Sequence, residues 1–157
     1  MTRILVSACF LGEKVRYDGK SKSLMNKTLL HWKQQKQLIS FCPEVAGGLS
    51  VPRKPAEIQQ DNSLIITSDG DDVTSQFIKG AQRALDICQQ HNIRFALLKE
   101  SSPSCGSTTI YDGDFRNQKI QGEGVTTALL RKNGIRVFSE KNIKELISAV
   151  DLLNVKP

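Results

Sequence analysis

The side chains best able to do unusual chemistry here are four cysteines, Cys9, Cys42, Cys88 and Cys105. None forms a Cys-x-x-Cys pair, so neither a zinc ribbon nor a thioredoxin-type redox motif is present. Thiols far apart in sequence act together only if the fold collects them. Three thiolates gathered at one place suit a soft metal centre. One such centre is a zinc ion with an open fourth position. Another is an iron–sulfur cluster; four cysteines usually hold one, and three leave an iron free to act as a Lewis acid. A nucleophilic cysteine would instead want a histidine partner. The only histidines, His31 and His91, fall in helical segments rich in polar residues and read as surface positions.

The predicted elements decide which cysteines meet. Residues 3–8 (RILVSA), 38–41 (LISF), 63–67 (SLIIT), 95–98 (FALL) and 135–138 read as short buried strands. Helices are expected over 24–35, 74–90 and 124–133, with a last one carrying Ile143, Leu146, Ile147 and Val150 on one face. Pro43 ends the second strand and holds Cys42 extended. Gly/Pro-rich residues 43–55 and the segment 99–107 read as loops. Strands alternate with helices, so the expected fold is α/β: one domain over residues 1–157, a mostly parallel sheet flanked by helices in a Rossmann-like three-layer sandwich.

In that fold Cys9, Cys42 and Cys105 all lie just past the carboxyl ends of parallel strands, the edge where open α/β sheets bind ligands. Cys88 completes the apolar face Phe77, Ile78, Ala81, Ala84 and Leu85 of a helix and reads as core. Around the same rim, Glu44 is placed either to move a proton or to pair with Arg53. Glu100, Ser101, Ser102 and Ser104 surround Cys105; their hydroxyls either contact a substrate or cap the loop. Arg16, Tyr17 and Asp18 in the first loop are candidates to line the pocket. Asp112-Gly113 and Gly122-Glu123-Gly124 read first as turns; the second opens a helix, and by itself is a weak phosphate signal.

Composition narrows the setting. The chain has 157 residues, 22 Lys+Arg and 16 Asp+Glu, a net charge of +6. The basic residues are scattered, so RNA is a possible partner but not the favoured one. No apolar run is long enough for a membrane span. Met1 to Phe10 lacks the layout of a secretory signal, which predicts a cytoplasmic protein with reduced thiols.

The segments VSACFLG (6–12), VRYDGKSK (15–22), CPEVAGGLSVPRKPAEI (42–58), DVTSQFIKGA (72–81), LLKESSPSCGSTTIYDGDF (97–115) and GEGVTTALLRKNGIRVFSE (122–140) carry a resemblance across nearly the whole chain. The protein resembles a bacterial family, long catalogued as a domain of unknown function, that includes thiouracil desulfidase. The resemblance implies an oxygen-sensitive 4Fe–4S cluster on Cys9, Cys42 and Cys105, supplied by iron–sulfur assembly machinery. It implies a non-redox desulfuration in which the sulfur of a small thiolated substrate, such as 2-thiouracil, binds the open iron and is replaced by water to give uracil and sulfide. Glu44 matches the assisting acid. Ser101, and after it Ser102, matches the assisting serine. Phe10 stands where a leucine is expected, and Cys88 lies outside the motifs. Two other readings are a sulfur transferase acting on RNA or another acceptor, and a non-catalytic zinc- or nucleotide-binding module.

Overall fold

The apolar run near the N-terminus becomes the central strand of the molecule. In the computed structural model, which describes residues 2–155, β1 (Ile4–Ser7) is buried at every position. A 3-10 turn (Ala8–Leu11) follows and stops at Gly12, whose φ of 91° suits glycine. α1 (Lys27–Gln34) begins where the Asn26 side chain accepts a hydrogen bond from the Leu29 amide at 3.0 Å. β2 (Leu38–Phe41) leads through Cys42 into a single helical turn, α2 (Pro43–Ala46). The hairpin β3 (Ala56–Ile58) and β4 (Ile65–Thr67) precedes the long helix α3 (Thr74–Gln90). Then come β5 (Phe95–Leu97), a second hairpin of β6 (Thr109–Tyr111) and β7 (Lys119–Gln121), α4 (Val125–Lys132), β8 (Arg136–Phe138) and α5 (Ile143–Val155).

Four strands form one parallel sheet in the order β2-β1-β5-β8. Successive residues point to opposite faces, and both faces are covered, as a parallel sheet requires. Ile4, Val6, Phe95, Leu97 and Phe138 pack against Leu29 and Trp32 of α1 and Leu146 and Val150 of α5. Leu5, Ala96 and Val137 pack on the other side against Ala84, Leu85 and Cys88 of α3 and Leu130 of α4. The expected three-layer α/β sandwich is the observed one. The chain leaves β1 on one side to form β2 and returns on the other side to form β5. That change of direction makes the β1/β5 boundary the topological switch point, where the carboxyl ends of the strands leave a crevice.

The expected strand at residues 63–67 does not join this sheet. β4 pairs antiparallel with β3, Glu57 opposite Ile66, and roofs a small satellite core of Ile65, Val73 and Phe77. The β6–β7 pair was not expected either. Within the loop expected at 43–55, Pro43 occupies the first turn of α2, where its preset φ and missing amide proton are tolerated, and Cys42 is the extended N-cap residue.

Candidate metal centre and catalytic pocket

The crevice at the switch point is a cavity of about 410 Å³ whose lining includes Cys9, Cys42 and Cys105. Ser7 lies opposite Phe41 in the register of β1 and β2. Cys9 and Cys42 therefore emerge at the same edge of the sheet. Across the switch point the Lys99 amide donates to Ser7 Oγ at 2.9 Å, which ties the start of the Cys105 loop to the end of β1. All four cysteines are free. Cys88 packs with Leu85, Ile93 and Ala96 and is not among the cavity residues.

Close backbone packing holds two of the three thiols. α2 lies directly on α3: a Cβ on Gly80 would stand 1.9 Å from the Pro43 carbonyl oxygen, and one on Gly47 would stand 1.9 Å from that of Gln76. The Cys105 loop rests in the same way on the start of α4, where a Cβ on Gly124 would lie 2.3 Å from the Ser104 carbonyl carbon. The first amides of α4 are spent on that loop, Val125 to the Pro103 carbonyl at 2.9 Å and Thr126 to Ser104 at 2.8 Å. Thr127 Oγ1 adds a bond to the Cys105 carbonyl at 2.9 Å. The helix end therefore serves the loop rather than an anion.

Glu100 organises the rest of that loop. Its carboxylate is only 3% exposed and accepts from the amides of Ser107 at 2.8 Å, Thr108 at 3.0 Å, Thr109 at 3.1 Å and Ser101 at 3.2 Å. The Ser107 hydroxyl donates to its second oxygen. Burial pushes the Glu100 carboxyl up, but the hydrogen bonds from Ser107, Thr108 and Thr109 together outweigh it and hold the pKa at about 2. Glu140 in turn accepts from the Glu100 amide at 2.8 Å and pairs with Lys99 at 2.9 Å.

The thiols feel burial and one another. Burial is the main reason the Cys9 pKa stands at about 11; the neighbouring Cys42 raises it further, while Lys99 and Arg16 lower it. Cys42 and Cys105 are also pushed up, chiefly by burial, and Cys105 also by Glu44 and Cys42. Burial outweighs the nearby charges of Lys99, Arg16 and Arg53, so the free thiols are neutral, and a bound metal group is what would hold all three as thiolates. A single zinc ion would need sulfurs about 2.3 Å from a common centre. Among the described residues no three His, Cys, Asp or Glu side chains are placed to hold one ion. Three soft thiol donors lining one cavity are the ligand type that iron–sulfur clusters take, so the donor set fits such a group.

The other expected site residues divide. Glu44 lines the cavity and is ion-paired with Arg53 at 3.1 Å, its side chain 17% exposed. Burial raises its pKa, and the Arg53 charge and hydrogen bond pull it part of the way back. Arg53 is held by the carbonyls of Val15 at 3.1 Å and Ser50 at 3.0 Å. Ser101 and Ser102 line the cavity. Ser101 sits at φ 72° and shares a 2.8 Å hydrogen bond with the Thr109 hydroxyl. Ser102 Oγ accepts from the Cys105 amide at 2.7 Å. Arg16 and Tyr17 line the cavity.

Ser104 and Asp18 lie outside the lining. Ser104 is fully buried, bonded to Thr126 Oγ1 at 2.9 Å and accepting from Cys105 Sγ at 3.6 Å. Asp18 accepts from the Lys20 amide at 3.0 Å and pairs with Arg16 at 3.4 Å, closing its own turn. Sequence reasoning missed Ser7, Glu57, Tyr111 and Phe115, which line the cavity. The signal for the last two was available: Asp112-Gly113 between two short apolar–polar alternations marks a hairpin.

A parallel sheet in flavodoxin-type order, with three thiols at its switch-point crevice, defines a doubly wound α/β protein with a thiol-lined pocket. Residues 4–142 match the family model described as 2-thiouracil desulfurase. The chain belongs to that family. It is 39% identical over 152 residues to an uncharacterized protein, YbbK, of Bacillus subtilis (strain 168), covering 92% of this chain and 99% of that one. It is also 51% identical to a solved 4Fe–4S-dependent thiouracil desulfidase, TudS, with a TM-score of 0.93, covering 97% of this chain and 99% of that one.

Proposed function

We propose that this protein is an iron–sulfur-dependent desulfidase that converts a small thiocarbonyl heterocycle, with 2-thiouracil the first candidate, to the oxo compound and sulfide. The observation that carries the reading is the sharing of one cavity by Cys9, Cys42 and Cys105 at the switch point. These three residues would hold a 4Fe–4S cluster. When bound, the cluster supplies an open iron, a Lewis acid soft enough to bind the thiocarbonyl sulfur and draw electrons from the ring carbon. Water supplies the oxygen and the sulfur leaves as sulfide, with no net electron transfer.

The chain's own residues do the rest. Glu44 lines the cavity in an environment that raises its pKa, which suits a carboxylate that takes a proton from attacking water and returns it to a ring nitrogen. Arg53 fixes the direction of that carboxylate through Nε at 3.2 Å and Nη2 at 3.1 Å. Ser101, steadied by Thr109, is the hydroxyl that orients the substrate ring, with Ser102 primarily securing the Cys105 amide. Arg16 and Tyr17 form part of the cavity wall toward the first loop. The protein acts in the cytoplasm, is loaded by iron–sulfur assembly proteins, and takes a small molecule rather than RNA. The +6 charge is diffuse, and no helix among the described residues is long and apolar enough to cross a membrane.

Anaerobic reconstitution with iron and sulfide counted per chain, followed by assay on 2-thiouracil, tests this directly. Wild type and Cys88→Ala are expected to take up a cluster and turn over. Cys9→Ala, Cys42→Ala and Cys105→Ala are expected to lose both properties. A colourless protein that binds stoichiometric zinc and leaves 2-thiouracil intact defeats the reading.

A further inference from the structure

We infer that Phe115 is the surface on which the planar ring of the substrate stacks, and that the buried carboxylate of Glu57 holds it there; this rests on the desulfidase reading and adds to it the residue that recognises the ring. Phe115 adopts φ 55°, a left-handed conformation that is a genuine outlier for a bulky residue. Its apolar side chain is also 38% exposed, on the lining of the cavity that holds the three thiols. A strained backbone and an apolar ring left in water both act against stability. Such features persist where the surroundings over-determine them, and they gather at ligand clamps.

The surroundings do over-determine this turn. Glu57 Oε1 accepts from the amides of Gly113 at 2.9 Å and Phe115 at 3.3 Å. Gln59 Nε2 donates to the Gly113 carbonyl at 2.9 Å. Gly113 itself, at φ 97°, lies so close to β3 that a Cβ would stand 2.8 Å from the Ile58 carbonyl oxygen. Asp112 Oδ1 accepts from the Asp114 amide at 2.9 Å. The turn between β6 and β7 is thus bolted to β3 through Glu57, a side chain only 8% exposed that lines the same cavity. The bolt fixes the backbone that carries Phe115 to the cavity lining. A flat heterocycle whose sulfur reaches toward the thiols needs a face to lie on, and an aromatic ring supplies one with little demand on ring substituents.

Phe115→Gly separates a recognition role from a packing role, because glycine takes φ 55° without the steric penalty. In the reconstituted holoprotein the expected melting temperature equals or exceeds wild type. KM for 2-thiouracil is expected to rise about fivefold or more with a much smaller change in kcat, and Phe115→Tyr restores it. The affinity for uracil, measured by calorimetry, is expected to weaken by the same factor. Glu57→Ala is expected to raise KM in the same way, with rescue by Glu57→Gln, whose carbonyl oxygen still accepts from the turn. Unchanged KM and uracil affinity in Phe115→Gly, or a lower melting temperature in that variant, overturns the inference. Failure of wild type to turn over 2-thiouracil falls on the desulfidase reading instead. Uracil binding, and its loss in Phe115→Gly, still tests the stacking surface without turnover; no uracil binding by wild type overturns it.

Discussion

Replacing Gly80 by alanine sets two terms of opposite sign against each other. In the interior of α3 an alanine is favoured over glycine by about 1 kcal/mol. The added Cβ, however, would stand 1.9 Å from the Pro43 carbonyl oxygen and 2.7 Å from its carbon. The obstacle is backbone, not a flexible side-chain tip, so α2 must retreat by about 1.5 Å to regain ordinary contact. Overpacking of that kind typically costs about 1–3 kcal/mol. The clash outweighs the propensity gain when its cost falls in the upper half of that range, which a backbone obstacle favours. The expected net loss is then about 1–2 kcal/mol, or a melting temperature lower by roughly 2–8 °C for a chain of this size. The effect on catalysis is expected to be far larger. α2 carries Glu44 and follows Cys42 directly, and a misplacement of about 1 Å at reacting groups costs on the order of 10²-fold in rate. Thermal unfolding, iron content per chain and the initial rate on 2-thiouracil measure the three consequences separately. Gly47→Ala, which meets the Gln76 carbonyl from the other side, is expected to repeat them. A Gly80→Ala protein that melts higher than wild type and keeps its iron and its rate refutes the claim that this contact positions the Cys42 loop.

Two further expectations concern the carboxylates. Glu100 has a folded pKa of about 2 against 4.5 for an ordinary glutamate, so its contribution to stability is fully present above about pH 4.5 and is lost as the pH falls toward 2. That difference corresponds to about 3 kcal/mol; thermal unfolding between pH 3 and 7 is expected to show a wild-type decline that Glu100→Gln largely lacks, and parallel curves would remove Glu100 as the anchor of the Cys105 loop. Glu44→Gln is expected to keep its cluster and lose about 10²-fold or more in rate, whereas Arg53→Ala leaves a buried carboxylate unpaired and is expected to cost about 3 kcal/mol in stability. Full activity in Glu44→Gln would end its proton-transfer role.

The main sheet and its helices were legible because their signals are local. Ile4 to Val6 and Phe95 to Leu98 announce their burial as short continuous apolar runs, and the face containing Phe77, Ala81, Ala84 and Leu85 by its helical period. The gathering of Cys9, Cys42 and Cys105 was legible for a less local reason: a parallel sheet sends every strand's carboxyl end to one edge, so position along the chain becomes position in space. The hairpins were only half legible: residues 63–67 announce a strand but not its partner β3, and Asp112-Gly113 announces a turn but not the strands beside it, since what secures that turn is tertiary, the bonds from Glu57 and Gln59 to Gly113.

Residue type failed most clearly among residues that look alike. Ser101 and Ser104 belong to one loop three positions apart, yet one faces the cavity and the other is sealed against Thr126. The difference follows from the path of the loop, which Glu100 sets from within and Gly124 sets by letting α4 approach. Asp18 has the chemistry of a ligand-binding residue and spends it on the Lys20 amide and Arg16. Gly47, Gly80 and Gly124 have no side-chain chemistry at all, yet they set how closely helices approach the loops of Cys42 and Cys105. A side chain's reactivity therefore identifies what this pocket can hold, while the spacing of bare backbone around it decides which of several similar side chains reach the cavity.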